Sequence, residues 1–570
     1  MIESCVHQYP FQLGNYSRII STSSPAAQQW FDLGLLWCYG YNHEESIACF
    51  QNALAEDSDC AMALWGIAYA SGCNYNKPWC SFEQGELLAS IKQARDAVTS
   101  AQLKSLKASV VEQRLIDALS KRYPEGASPV LSEDSFATWN DDYANAMRSV
   151  YKDFDDDLNV ACLFAEALLN RTPWALWDLK TETPADGANT LEVMRVLEKA
   201  LAQASRQDIS HCGLLHMYIH TMEMSPQPEK ALTAADTLAA MQSDAGHLLH
   251  MPSHVYILCG QYDKAVQSNS RAIEVDNKFL TVRGATNFYT LYRCHDFHFK
   301  IYSSLFLGQF APALATAEEL EKTLSEDFLR TPSPPMADWL EGFLSLKVHV
   351  LIRFGKWKDL LALPLPVDAQ LYCMTTAMTH YGRGIAQAVL GHVESAAEEQ
   401  RRFLQATKKV PESRTIFNNT CQDVLKVAGA MLEGELRYRK GEHDSAFCQL
   451  RKAVELDDNL PYDEPWGWMQ PTRHALAALL LECGRVEEAY AVYRADLGLD
   501  KVLSRPAQHP NNVWSLHGYL ECLRRLQKSD DIATVDKQLQ NALRKADVEI
   551  PASCFCRLTT SDATVCGTAH

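Results

Sequence analysis

Two pairs of histidines, His216 with His220 and His250 with His254, each enclose three residues, and the second pair follows the first by 34 positions. On a helix, a spacing of four puts both side chains on one face. Two imidazole nitrogens placed that way can hold one metal ion. Glu223 stands one turn beyond His220, and His298 continues the series. The predicted metal ligands are therefore His216, His220, Glu223, His250, His254 and His298, enough for one or two ions. Eight of the eighteen histidines fall between His211 and His298, where even scatter would leave about three. Imidazole with a carboxylate suits iron, copper, zinc or manganese, and the absence of thiols from the set argues against an iron–sulfur cluster. Pro252 lies inside the second pair and must either kink its helix or begin it. The competing reading is that these histidines only hydrogen-bond within a polar groove.

A second concentration of chemistry runs from Pro461 to His474, with aromatics, the acids Asp463 and Glu464, an amide, Arg473 and His474. Mixed aromatic and polar lining is typical of small-ligand pockets. Here His474 is the candidate general acid or base and Arg473 the candidate carboxylate anchor. Trp468, Gln470 and Tyr302 are the candidate substrate-binding residues. The alternative is that Trp466 and Trp468 pack between helices while Arg473 pairs with Asp463 or Glu464. Trp174 and Trp177 are read as interhelical packing, Glu166 as a buried acid and His211 as a helix cap or surface residue.

Helical periodicity dominates the chain, and internal repeats decide the architecture. Trp30, Leu33, Gly34, Trp37, Ser46, Phe50, Ala53 and Ser58 fall on positions 4, 7, 8, 11, 20, 24, 27 and 32 of a 34-residue unit. Turns recur at Gly260, Gly308, Gly355, Gly391, Gly441 and Gly484, each opening a helix with a small residue near its start. With Ala231, Ala265 and Ala313 at position 20, position 5 is His216, His250 and His298, and position 9 is His220, His254 and Tyr302. Position 2 is then Gly213, His247 and His295, and Glu223 takes position 12. With Ala489 at position 20, His474 falls on position 5 as well. The pattern resembles the tetratricopeptide repeat, which implies an all-α, right-handed α-solenoid of helix pairs, curled toward a closed superhelix, with positions 2, 5, 9 and 12 lining its groove. The domain reading is one superhelix over 1–550, with histidine-rich repeats at 211–320 and the second patch at 461–474, then a tail over 551–570. Tyr123 to Asn140 and Leu329 to Pro335, rich in proline, read as loops.

Composition limits the partners. A formal charge of -18 disfavours nucleic acid and anionic membranes. No basic-then-apolar leader opens the chain, and no run of about 18 apolar residues crosses it. The expected setting is cytoplasmic, with most of the eighteen cysteines as buried free thiols. Cys554-x-Cys556 is read as tail structure.

Longer segments are similar to a subgroup of tetratricopeptide proteins from bacteria and filamentous fungi. They are Trp30-Phe31-Asp32-Leu33-Gly34-Leu35, Tyr41 to Glu45, Ala63 to Ala70, Gly246 to His254 with its His250-Met251-Pro252-Ser253-His254, and Tyr462 to His474. Ala477 stands where that subgroup usually has glycine. The resemblance implies little about activity, although some fungal members stand among biosynthetic genes for small metabolites. The functional expectation is a metal-dependent oxidoreductase acting on a small organic substrate, in the setting of fungal secondary metabolism. A metal-dependent lyase or hydrolase is one alternative. A non-catalytic scaffold that holds a peptide or protein partner is the other. No phosphate-binding loop, serine triad or nucleotide fingerprint accompanies the histidines.

Overall fold

The structure is a computed structural model that describes residues 8–124 and 131–557. Among the described residues, strands are confined to two short ladders, Trp177–Asp178 with Thr183–Pro184 and Thr415–Ile416 with Asn419–Thr420, apart from one isolated bridge. Everything else regular is helix. No described helix is long and apolar enough to cross a membrane. The chain divides into two compact units, Met1–Val255 with Arg271–Tyr289 and Tyr256–Ser270 with Thr290–His570.

The first unit begins with a helical hairpin, Pro25–Tyr39 and His43–Glu56. Ser24 caps the first helix by accepting from Ala27 N, and Pro25 occupies its first turn, where no backbone donor is needed. Asn42 caps the second through Glu45 N. The hairpin closes because Phe50 inserts where glycines leave room. A Cβ on Gly34 or on Gly66 would each lie 2.6 Å from the Phe50 ring. Ser46 then donates to Gly34 O at 2.6 Å. The large and small residues of the 34-residue pattern are thus the two sides of one helix–helix contact.

The second unit repeats the theme with Cys373–Val389 and Val393–Thr407, Cys421–Arg439 and His443–Asp458, and Thr472–Glu482 and Val486–Asp496. Each hairpin turns through a left-handed glycine, with φ of 84° at Gly391, 81° at Gly441 and 75° at Gly484. Only glycine adopts that conformation without strain. Ala231, Ala265, Ala313 and Ala489, the alanines at position 20, have no exposed surface. The chain is an all-α assembly of tetratricopeptide-type helix pairs.

Local differences from the sequence reading have local causes. The region read as a loop from Tyr123 becomes helical at Glu133, because Ser132 caps Glu133–Asp153 and two acids fill its first turn. Residues 125–130 of that segment lie outside the described residues. The region read as a tail begins inside the second unit. Phe555 packs on Trp514 at 5.9 Å, Ser553 accepts the Tyr493 hydroxyl at 2.6 Å, and Cys554 is joined to Cys556. Among the described residues, ten cysteines are buried free thiols, Cys38, Cys49 and Cys162 included.

Candidate metal centre

The helix Cys212–Glu223 is buried on every face. Gly213 lets it approach the first hairpin, since a Cβ there would lie 2.7 Å from both Cys162 Sγ and the Tyr39 ring. That approach brings His216 Nδ1 to 2.6 Å from the Tyr39 carbonyl. A carbonyl only accepts, so Nδ1 carries the hydrogen and Nε2 is left as a bare lone pair. The Nε2 atom of His220 lies 3.0 Å from it, and that of His247 lies 3.2 Å from it. The ligand atoms of His216, His220 and His247 all fall within 4.8 Å of one another.

Glu223 sits behind the rings. One oxygen is 2.9 Å from His220 Nδ1 and the other 2.7 Å from His254 Nδ1. A carboxylate accepting from Nδ1 fixes the tautomer that bares Nε2, the arrangement that commonly stands behind metal-ligating imidazoles. His254 Nε2 in turn faces His250 Nε2 at 2.8 Å. Pro252 begins the short helix Pro252–Leu258 after Gly246–His250, and the second pair faces across that break. The rings of Tyr41 and Tyr75 cover the cluster, 4.6 Å from His216 and 4.6 Å from His220 respectively. Burial holds both rings neutral: it pushes His220 down to about 3, and with the neighbouring His220 it lowers His216 well below the usual range.

Placement therefore differs from the groove wall read from the sequence. His216, His220, Glu223, His250 and His254 are at most 1% exposed, the first pair lying beneath the rings of Tyr41 and Tyr75. His247, on position 2 of the repeat, joins His216 and His220, although the sequence reading left it out of the ligand set. His211 caps the histidine helix by accepting from Leu214 N, and it is buried.

The remaining candidates belong to the second unit. His298 Nε2 lies 2.8 Å from Met469 Sδ, with its ring beside Phe343. Arg473 is engaged with Asp458 through both terminal nitrogens, at 2.5 and 2.6 Å, so its fork is not open to a carboxylate. Trp468 stands edge-on to His349 at 4.7 Å, and the Gln470 amide donates to His349 O. His474 spends both ring nitrogens: Arg353 donates to Nδ1 at 3.0 Å, and Nε2 donates to Asp496 at 2.9 Å. Asp496 also accepts from His509 at 2.8 Å, from Asn512 at 3.1 Å and from Ser515 at 2.6 Å. Tyr302 donates to the other nitrogen of His509 at 3.1 Å. Burial opposes ionisation of Asp496, yet the His474 and His509 rings hold its carboxyl well below the usual range. The Asp496 hub is invisible in the spacing, since its donors, from His474 to Ser515, follow no helical period.

No family model and no curated protein matches the chain. Among solved structures, yeast Tom70 aligns over 90% of this chain and 92% of its own, at 12% identity and a TM-score of 0.28. The TPR domain of P58(IPK) aligns over 88% of this chain and 99% of its own, at 12% identity and a TM-score of 0.22. The APC/C hetero-tetramer Cut9–Hcn1 aligns over 91% and 76%, at 12% identity and a TM-score of 0.26. Such scores carry no argument about function. The tetratricopeptide-type assignment stands on the hairpins, turn glycines and buried alanines themselves.

Proposed function

We propose that the first unit holds a transition-metal ion on a tetratricopeptide-type scaffold, with His216, His220 and His247 as ligands and His250 with His254 as an adjoining pair. One observation carries the reading. The Nε2 atoms of His216 and His220 face each other at 3.0 Å, while each ring's Nδ1 hydrogen is committed to Tyr39 O or to Glu223. Two neutral rings in that tautomer point lone pairs at one another, an arrangement that a cation between them turns from repulsive to attractive. Metal–nitrogen bonds of about 2.0–2.1 Å, at angles between square and tetrahedral, put ligand nitrogens about 2.9–3.3 Å apart. The separations of 3.0 and 3.2 Å within the triad lie in that range.

When bound, iron or copper supplies redox chemistry and zinc or manganese supplies Lewis-acid activation of water. The chain's own residues then act as follows. Tyr39 O and Glu223 orient the rings, Glu223 offsets part of the added positive charge, and Tyr41 and Tyr75 exclude bulk water. The finer form of this reading is a metal-dependent enzyme acting on a small organic substrate. It draws on the resemblance of His250-Met251-Pro252-Ser253-His254 to the bacterial and fungal subgroup.

Elemental analysis of the full chain tests the proposal, with His216→Gln and His247→Gln alongside. Wild type should retain about one transition ion per chain or more, and each variant should lose most of it while keeping its helical circular dichroism. Wild type that purifies metal-free and fully helical, or variants that load like wild type, would sink it.

A second reading, a scaffold for a protein or peptide partner, is favoured by the helix-pair fold, whose stacked repeats present extended surfaces. Partner capture from the native source by wild type and by His216→Gln separates the two. Capture that is equal in both, from metal-free protein, belongs to the scaffold.

A further inference from the structure

Apart from the histidines, the first unit buries a second charged feature, outside the metal centre. Arg122 follows the helix Val110–Ser120 and has no exposed surface. None of its three guanidinium nitrogens has an acceptor in good hydrogen-bond geometry, Tyr123 being its one weaker side-chain contact of that kind, and it forms no ion pair among the described residues. Its guanidinium carbon lies over the Tyr143 ring, 4.3 Å from the ring centre. An aromatic ring there contributes a cation–π contact but accepts none of the N–H groups in the guanidinium plane. The Tyr143 hydroxyl, also buried, is unspent, as is Asn170 Oδ1.

The obvious counter-charge is committed elsewhere. Glu166, read from the sequence as a buried acid, interacts electrostatically with Arg122, but its oxygens accept from Tyr69 at 2.7 Å and from Asn170 at 2.7 Å. The Tyr123 hydroxyl borders the guanidinium and already donates to Ala68 O at 2.9 Å. A buried cation whose donors lack well-placed acceptors is costly. Proteins resolve that cost with a partner that fills the fork, and a carboxylate matches it with two parallel bonds.

We infer that Arg122 is the anchor of a binding site for a small carboxylate, which it grips in the plane of its guanidinium, with the Tyr143 hydroxyl as a further donor. The site is independent of the metal centre, because it uses none of the histidines. It would take ligands of the size of formate or acetate, or the carboxylate end of a larger molecule.

The test uses the full chain with formate as the probe. Thermal unfolding is followed across a formate titration at constant ionic strength, in wild type, in Arg122→Met and in Arg122→Lys. Wild type should show a saturable rise in Tm. Met should abolish it, and Lys, which keeps the charge without the fork, should weaken it at least tenfold in midpoint concentration. A wild-type Tm that does not respond, or a response equal in all three proteins, overturns the proposal. Should Arg122→Met fail to fold, crystals of wild type grown in formate still decide. Bent triatomic density bonded to the guanidinium supports the site, and separate water molecules alone refute it.

Discussion

Replacing Glu223 by glutamine changes one oxygen to an amide in a residue with no exposed surface, and the metal proposal makes a specific demand of it. The carboxylate accepts from His220 Nδ1 at 2.9 Å and from His254 Nδ1 at 2.7 Å. Glutamine keeps one acceptor, so one ring keeps its tautomer. The other ring then meets an N–H donor, and its hydrogen must move to Nε2, the atom that faces the partner histidine. A ligand nitrogen is lost, along with the charge that balances the ion. Changes behind metal-binding histidines weaken affinity by about 10–100-fold, which is about 1.4–2.7 kcal/mol. Side-chain volume is unchanged, so the fold should persist and circular dichroism should match wild type. Chelator competition at fixed pH measures the affinity. If Glu223→Gln keeps its fold and binds metal within twofold of wild type, then Glu223 does not set the tautomers, and the argument from facing lone pairs fails with it.

Three further outcomes follow from the fold. Gly441→Ala should destabilise by about 1–2 kcal/mol through backbone strain alone, since φ is 81° and no heavy atom lies within 4 Å of the added Cβ; a Tm equal to wild type would contradict this. Asp496→Asn should cost about 3 kcal/mol, because an amide nitrogen would oppose one of the donors on His474, His509, Asn512 or Ser515; denaturant unfolding measures it, and a change below the noise would dissolve the hub. Burial pushes His211 and His349 down to about 3. Each stays neutral in the fold while the unfolded ring protonates near its ordinary value of about 6.5, so the unfolded state binds more protons below that pH. Stability should therefore fall with falling pH, by up to about 1.4 kcal/mol per pH unit for each ring between about 6.5 and 3. Unfolding midpoints that do not move between pH 7 and pH 5 would show these rings to be solvated.

How much of this was legible in the sequence differs by level. The helix pairs were, because a turn glycine, an alanine at position 20 and a large residue facing a glycine each answer a local steric need. Gly34 with Phe50 illustrates it, as a contact of 2.6 Å that any Cβ at Gly34 would make. The facing of His216 with His220 and of His250 with His254 was legible too, since helical period alone puts residues four apart on one side. The periodicity is silent on which atoms meet. Whether His216 turns its Nδ1 outward depends on the Tyr39 carbonyl, 177 residues away in sequence. Whether Glu223 is a ligand or an orienting group depends on His254, 31 residues on. His247 was in register at position 2, yet only the packing of its helix brings its Nε2 to 3.2 Å from His216. The Asp496 hub and the bare guanidinium of Arg122 left no pattern in the chain at all, because their neighbours come from separate helices. Sequence determined the elements and the faces they present, since those follow from local sterics and helical period. The tertiary structure alone decided burial, tautomer and charge pairing, because they are set by atoms brought together from distant parts of the chain.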